Sequence, residues 1–497
     1  MSVEGAIAVH RFGLGAKPGE VAKASDNPKN WLLSQIAPAP QPVPLDGTQF
    51  KTAATLLADA AQYRRERLTA KKDNDPQAIK EFQMAQRQLY QGEMAARFDL
   101  GFTTDKPFAE RLVWFWGNHF TISTQNNMVT PVAGAYEREA IRPHIAGKFE
   151  DMLFAVATHP AMMIYLNNAQ SIGPNSMAGQ TSKRGLNENF GRELMELYSL
   201  GVDGGYTQAD VIALAKLLTG WSVDQGVGPG GAGRGAGLAA FSRPGAANRP
   251  AALARVNLQA MNAPVTVNDA SSGFVFYPAR HEPGEVTLRG KTYPATFAGG
   301  RQAIHDLAHD PSTARFISHK FAVHFLGDNP PASSVSRLEK IFRDTGGDLK
   351  ALAQGVVEDP VAWTPGPGKM RNPVEFVTAS YRLLNLPGAQ NAQRQTQAAM
   401  QSCRLMGQFP MNAPAPKGWP DDSASWSGPD AVLSRIEWAK QIGTRVPPNF
   451  TVAQVAARAD DAMGPLLSPT TKAAINGSAS AGDALAFLVS SPEFQRR

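Results

Sequence analysis

Cysteine is almost missing from this 497-residue sequence, where Cys403 stands alone. A single thiol permits no intrachain disulfide and no cysteine zinc cluster. Its place in segment 398–407 reads as a small buried side chain rather than a nucleophile. Long apolar runs are missing too, none approaching the roughly 20 residues of a membrane-spanning helix. The opening MSVEGAIAVHRFGLG has no charged stretch followed by an apolar one. The expectation is a soluble chain without its own export signal, cytoplasmic by default. A chain trimmed at a signal-peptide site would read the same way, so periplasmic or exported placement stays open. Runs of one charge sign are lacking as well: 49 Lys and Arg against 43 Asp and Glu leave +6 with no basic stretch, so nucleic-acid binding is not expected. No GxxxxGK[ST], GxSxG or HExxH occurs, and no GxGxxG sits on a strand-to-helix unit. These absences speak against a phosphate-binding loop, a hydrolase nucleophile elbow, a zincin helix and a dinucleotide fold.

What is present is helical periodicity. With 43% hydrophobic and 19% charged residues, the chain has ample material for a core. Segments 50–71 and 77–100 read as charged amphipathic helices. Segment 107–123 is apolar nearly all round through Leu112, Val113, Trp114, Phe115, Trp116 and Phe120, which places it in the core. Further helices are predicted over 131–145, 150–167, 299–310, 311–325, 333–345, 348–358, 373–384, 392–407, 429–441, 453–459 and 482–490. Apolar and polar residues alternate over 274–277 and 286–293, around PARHEPGE, which predicts a β-hairpin or ribbon. Glycine and alanine without periodicity mark 224–272 as a flexible Gly/Ala/Pro-rich insertion. The fold class expected is mainly α: one large multi-helix domain over 1–497, with a small β-ribbon near 274–294 and that insertion within it.

The segment 187–221, NENFGRELMELYSLGVDGGYTQADVIALAKLLTGW, predicts two helices joined by a glycine turn. Asn187 is a suitable N-cap, and Glu188 suits the positive end of the helix dipole. Phe190, Leu194 and Leu197 form an apolar stripe opposite Asn189, Arg192, Glu193 and Glu196. Thr207 caps the second helix with Asp210 three residues on. Folding accounts for the caps and stripes. It does not require the polar strip.

This segment resembles the hallmark of a large bacterial family, domain of unknown function 1800. HRFGLGAKPGE (His10–Glu20), WFWGNHFTIS (Trp114–Ser123), ARHEPGEVTLRGKTYP (Ala279–Pro294), DPSTARFISHKFAVHFLGDNPP, GGDLKAL and the closing LVSSPEFQRR resemble its other motifs. The resemblance runs from about residue 6 to the end, interrupted by the insertion. In the ribbon the family often has Asp after the His and a Lys a few residues on, where this chain has Glu282 and Val286. The resemblance implies no established activity. It implies a partner, a sulfatase-like protein of another uncharacterised family, and members often carry export signals.

Three polar motifs embedded in apolar segments nominate site residues. His119 suits a metal ligand or general base, or a buried hydrogen-bonded histidine. Glu193 and Glu196, three apart, share a helix face. Glu188 and Arg192 have the spacing of a surface ion pair as well as of a cleft. His281, with Glu282, sits at a turn that presents side chains to a ligand. The enzyme reading is a hydrolase with a His/carboxylate site of His119, Glu188, Arg192, Glu193 and His281. A divalent metal is its candidate cofactor, held by His119, Glu193 and His281, and the three must converge for that reading to hold. His305 and His309 also have i,i+4 ligand spacing, but without HExxH they rank below it. The competing reading is a non-catalytic partner or maturation factor for an exported sulfatase-like protein, which calls for an exposed apolar patch and no drug-sized pocket. A third is a carbohydrate- or polymer-binding protein, indicated by the tryptophans.

Overall fold

The computed structural model describes residues 1–72, 76–181, 185–224, 273–366, 368–385, 389–446 and 449–497. The predicted insertion, apart from Asp224, therefore lies outside the described residues. The fold is mainly α, with two small two-stranded sheets. A long antiparallel pair, Ala53–Lys72 and Pro76–Thr103, precedes the aromatic helix Pro107–His119. Burial of Leu112, Val113, Phe115 and Trp116 sets that aromatic helix in the core. Phe115 meets Phe321 edge-on with ring centroids 5.2 Å apart, and Trp116 lies 5.9 Å from Phe149. One cluster of buried apolar residues reaches from Ala6 to Phe494.

Several helices begin where a polar cap stands before a proline. Asp310 accepts from Ser312 N ahead of Pro311, and Asn372 closes a capping box with Glu375 ahead of Pro373. Such a cap satisfies an orphan N–H, and proline at the first position loses nothing because its missing donor would be unpaired anyway. The helices Phe297–Ala308, Pro311–Leu326, Ala332–Asp344 and Leu349–Val357 follow in close succession. After them come Pro373–Leu384, Ala389–Leu405, Pro429–Gly443, Val452–Met463, Pro469–Asn476 and Ala481–Ser490.

Four expectations are corrected. The aromatic helix stops at His119, and Ser123 pairs in an antiparallel bridge with Asn412. The turn is fixed by Asn118, whose Nδ2 donates to Trp419 O at 2.9 Å and whose Oδ1 accepts from Trp419 N at 2.8 Å. Gly418, at φ +80°, permits this approach: a Cβ there would stand 2.4 Å from Asn118 O. Segment 150–167 is two helices, Phe149–Thr158 and Pro160–Tyr165. Proline disfavours the helical conformation in the residue before it, and His159 turns extended and caps the second helix through Nδ1. Segment 131–145 is a series of short 3₁₀, α and π turns, with Glu137 on a π turn.

The ribbon is two sheets. Phe274–Phe276 pairs with Trp221–Val223, so it closes the two ends of the insertion, and Val286–Leu288 pairs with Lys291–Tyr293. The second hairpin turns through Arg289 and Gly290, both at positive φ, the conformation of a tight two-residue loop.

Candidate functional site

His119 closes the aromatic helix and is 2% exposed. Its Nε2 lies 3.2 Å from the Tyr198 carbonyl, which can only accept, so that nitrogen carries the proton. Nδ1 then accepts from Lys320 Nζ at 3.0 Å. Burial, reinforced by the Lys320 charge, holds the ring pKa well below the ordinary histidine value. Burial also pulls Lys320 down to about 8. One turn along the same helix, His324 Nδ1 lies 2.9 Å from Asp421 Oδ2, and burial lowers that ring to about 4. Asp421 is ion-paired with Lys369 at 3.1 Å and with Arg497 at 3.7 Å. His324, Lys369 and Arg497 outweigh its desolvation and hold its carboxyl far below the usual range.

Arg497 continues to Glu375 at 3.1 Å, where Arg111 also binds at 2.6 Å, and burial is overcome so that Glu375 falls to about 2. Arg371 Nη2 reaches His10 Nδ1 at 2.8 Å, and His10 Nε2 meets Ala462 O at 2.9 Å. Three stretches that sequence reading set apart, around His10, His119 and His324, are thus held by polar links within one folded region. Lys320 and Asp421 were missed. The signal available for Lys320 was its i,i+4 spacing from His324. Asp421 offered only its position after the proline-rich loop.

The polar strip occupies the helix Asn189–Glu196. Glu188 and Arg192 pair at 3.4 Å, and both bond Gln208, through Gln208 Nε2 to Glu188 at 2.6 Å and Arg192 Nη2 to Gln208 Oε1 at 2.9 Å. Glu193 is half-buried. Its carboxyl is raised by burial and by Glu196, against the opposing pull of Arg192. Tyr198 N donates to Glu193 O at 3.1 Å, so the backbone that receives His119 runs directly from Glu193. His281 is anchored elsewhere, by Nδ1 on the Thr219 carbonyl at 2.7 Å, while its Nε2 is buried without a hydrogen bond. Beside it, Glu282 accepts from Asn175 N at 3.0 Å and Asn175 Nδ2 at 2.6 Å, and Lys216 approaches to 3.8 Å.

His119 is therefore tied to the Tyr198 carbonyl, Glu188 and Arg192 form their own pair, and His281 belongs to the Thr219 turn. Among the described residues, the trio whose ligand atoms all lie within 4.8 Å of one another is Glu150, His305 and His309. His119, Glu193 and His281 do not form such a trio.

A separate feature is a cavity of about 1120 Å³ between the Ala53–Lys72 and Pro76–Thr103 helices, the 124–131 loop and the 164–170 segment. Arg64, Arg87 and Arg404 line it, and among the described residues no Asp or Glu does. Arg64 donates to Met128 Sδ, and Arg404 lies over the Phe409 ring at 4.2 Å. None of the three has a carboxylate partner among the described residues. Gln91, Asn126, Asn127, Asn167 and Gln170 add side-chain amides, and Tyr90 and Ile164 add apolar surface.

The fold and these features define a mainly helical protein with a His/Lys/Asp/Arg network whose histidines are buried and whose Lys320 and Asp421 are half-buried, and with a cationic, amide-rich cavity. Its family is shown directly: the chain belongs to the family described as Protein of unknown function (DUF1800), whose model matches residues 7–496. No curated protein and no solved structure matched the chain.

Proposed function

We propose that the protein binds an anionic, hydroxyl-rich ligand of the acidic-oligosaccharide class in the cavity between the two long helices. The carrying observation is the cavity's charge: three guanidiniums around about 1120 Å³ that have, among the described residues, no carboxylate partner and no acid beside them in the lining. Guanidinium forks bind carboxylates in two-pronged fashion. Side-chain amides offer both donors and acceptors to hydroxyls. The volume exceeds that of common small-molecule sites, so it has room for several sugar units. This favours the polymer-binding reading over the partner reading, which called for no pocket of this size.

The test is calorimetric titration with oligogalacturonate against a neutral oligosaccharide of equal length. The acidic ligand should bind, with affinity falling as salt rises. Arg87→Ala and Arg404→Ala should each weaken it about tenfold or more, the worth of one charge-assisted hydrogen bond. Equal binding of the acidic and neutral ligands, or binding of neither, refutes the proposal.

A further inference from the structure

The helix Phe297–Ala308 ends with two histidines four residues apart, His305 within its last turn and His309 as its C-cap. That spacing puts both rings on one face, where they stack with centroids 4.3 Å apart and planes 26° from parallel. Facing them is Glu150, on the first turn of the helix Phe149–Thr158. Glu150 Oε2 lies 3.3 Å from His305 Nε2 and 3.6 Å from His309 Nδ1.

These separations match a metal site. Ligand atoms bound at about 2.0–2.1 Å in a tetrahedron stand about 3.3 Å apart along each edge. Glu150 Oε2 is shielded from solvent yet accepts no hydrogen bond. A simple ion pair would direct an imidazole N–H at that oxygen. An oxygen close to two ring nitrogens, with no hydrogen bond to either, is instead the arrangement of donors converging on a shared point. His309 Nδ1 is also 2.9 Å from the His305 carbonyl, so binding exchanges one exposed hydrogen bond for a coordinate bond.

We propose that Glu150, His305 and His309 form a three-ligand site for a divalent transition metal of the zinc class, with the fourth position open to water. Two imidazoles and one carboxylate select zinc, cobalt or nickel over calcium and magnesium, which take oxygen ligands almost exclusively. His305 is 55% exposed and His309 38% at the side chain, so an ion reaches the site from solvent without unfolding. The bound ion ties the end of one helix to the start of another, and it stabilises the folded chain by mass action. The site stands apart from the cavity reading, and each is tested on its own ligand.

The experiment uses the full chain, stripped with EDTA and titrated with Co²⁺ alone while the visible absorption is followed. One equivalent should bind and give the intense bands of a four-coordinate ion, and Zn²⁺ should displace it and raise Tm. His305→Ala, His309→Ala and Glu150→Gln should each weaken binding at least tenfold while circular dichroism stays unchanged. His319→Ala, at an exposed histidine outside the trio, should bind as the unaltered chain does. Absence of saturable binding overturns the proposal. So does equal affinity in the His305 and His309 variants, or an equal loss in the His319 variant.

Discussion

Arg142 has no exposed surface and remains charged because carboxylates surround it. Glu110 takes two of its nitrogens at 2.7 Å each, and Glu137 accepts from Nη2 at 2.7 Å while also binding Arg97 at 2.7 Å. Removing one member of a buried pair leaves the others desolvated and unpaired, at a cost of about 3–5 kcal/mol. Arg142→Met should therefore lower the unfolding free energy by that amount in urea titrations. A loss below about 1 kcal/mol would mean that water takes the guanidinium's place. At this scale the sequence was only partly readable. His119 stands out because a polar residue ends an aromatic helix. Its partner Lys320 is 201 residues away, and Asp421 lies 97 residues beyond His324. Locally Lys320 is marked only by its i,i+4 spacing from His324 and Asp421 by nothing but its place after the proline-rich loop, since their significance comes from tertiary packing. Glu150 likewise reads as an ordinary acid at a helix start until His305 and His309 are placed opposite it.

Thr207 shows what the sequence reveals best at the scale of elements. The structure has both halves of its capping box with Asp210, and Glu188–Arg192 forms at the spacing foreseen. Thr207→Ala should cost about 1 kcal/mol, visible as a shift in urea midpoint with an unchanged slope. Helix Pro373–Leu384 was legible to the residue because Asn372, Pro373 and a left-handed Asn385 punctuate it. Errors arose where one residue outweighed a continuous pattern. Apolar periodicity runs through His159–Pro160 although the helix breaks there. The strands misled for another reason: Phe274–Phe276 finds its partner before the insertion rather than after PARHEPGE, and alternation indicates a strand without indicating its neighbour.

Over the whole molecule, burial holds several histidines toward their neutral form, most strongly His10, His119 and His324. His10 is lowered to about 3 and His324 to about 4, with His119 also well below 6.5, burial being the leading cause for each. As pH falls below 6.5 the unfolded chain takes up protons that the native chain refuses, so stability is full above that value and declines toward the folded pKa. At pH 5 the loss is about 2 kcal/mol each for His10 and His324, and His119 adds to it in the same direction. Urea midpoints should fall clearly between pH 7 and pH 5; equal midpoints would show that these rings are protonated in the native state.

The ionic lattice around Arg142 also bears on how the protein behaves in heat. Hydration of free charges becomes less favourable on warming, so the penalty for keeping them dry shrinks as temperature rises. Ions in solution cannot reach charges sealed at 0–4% side-chain exposure, so salt barely screens them. A melting temperature nearly indifferent to sodium chloride would be the thermal signature of a protein whose strongest charge pairs never meet the solvent.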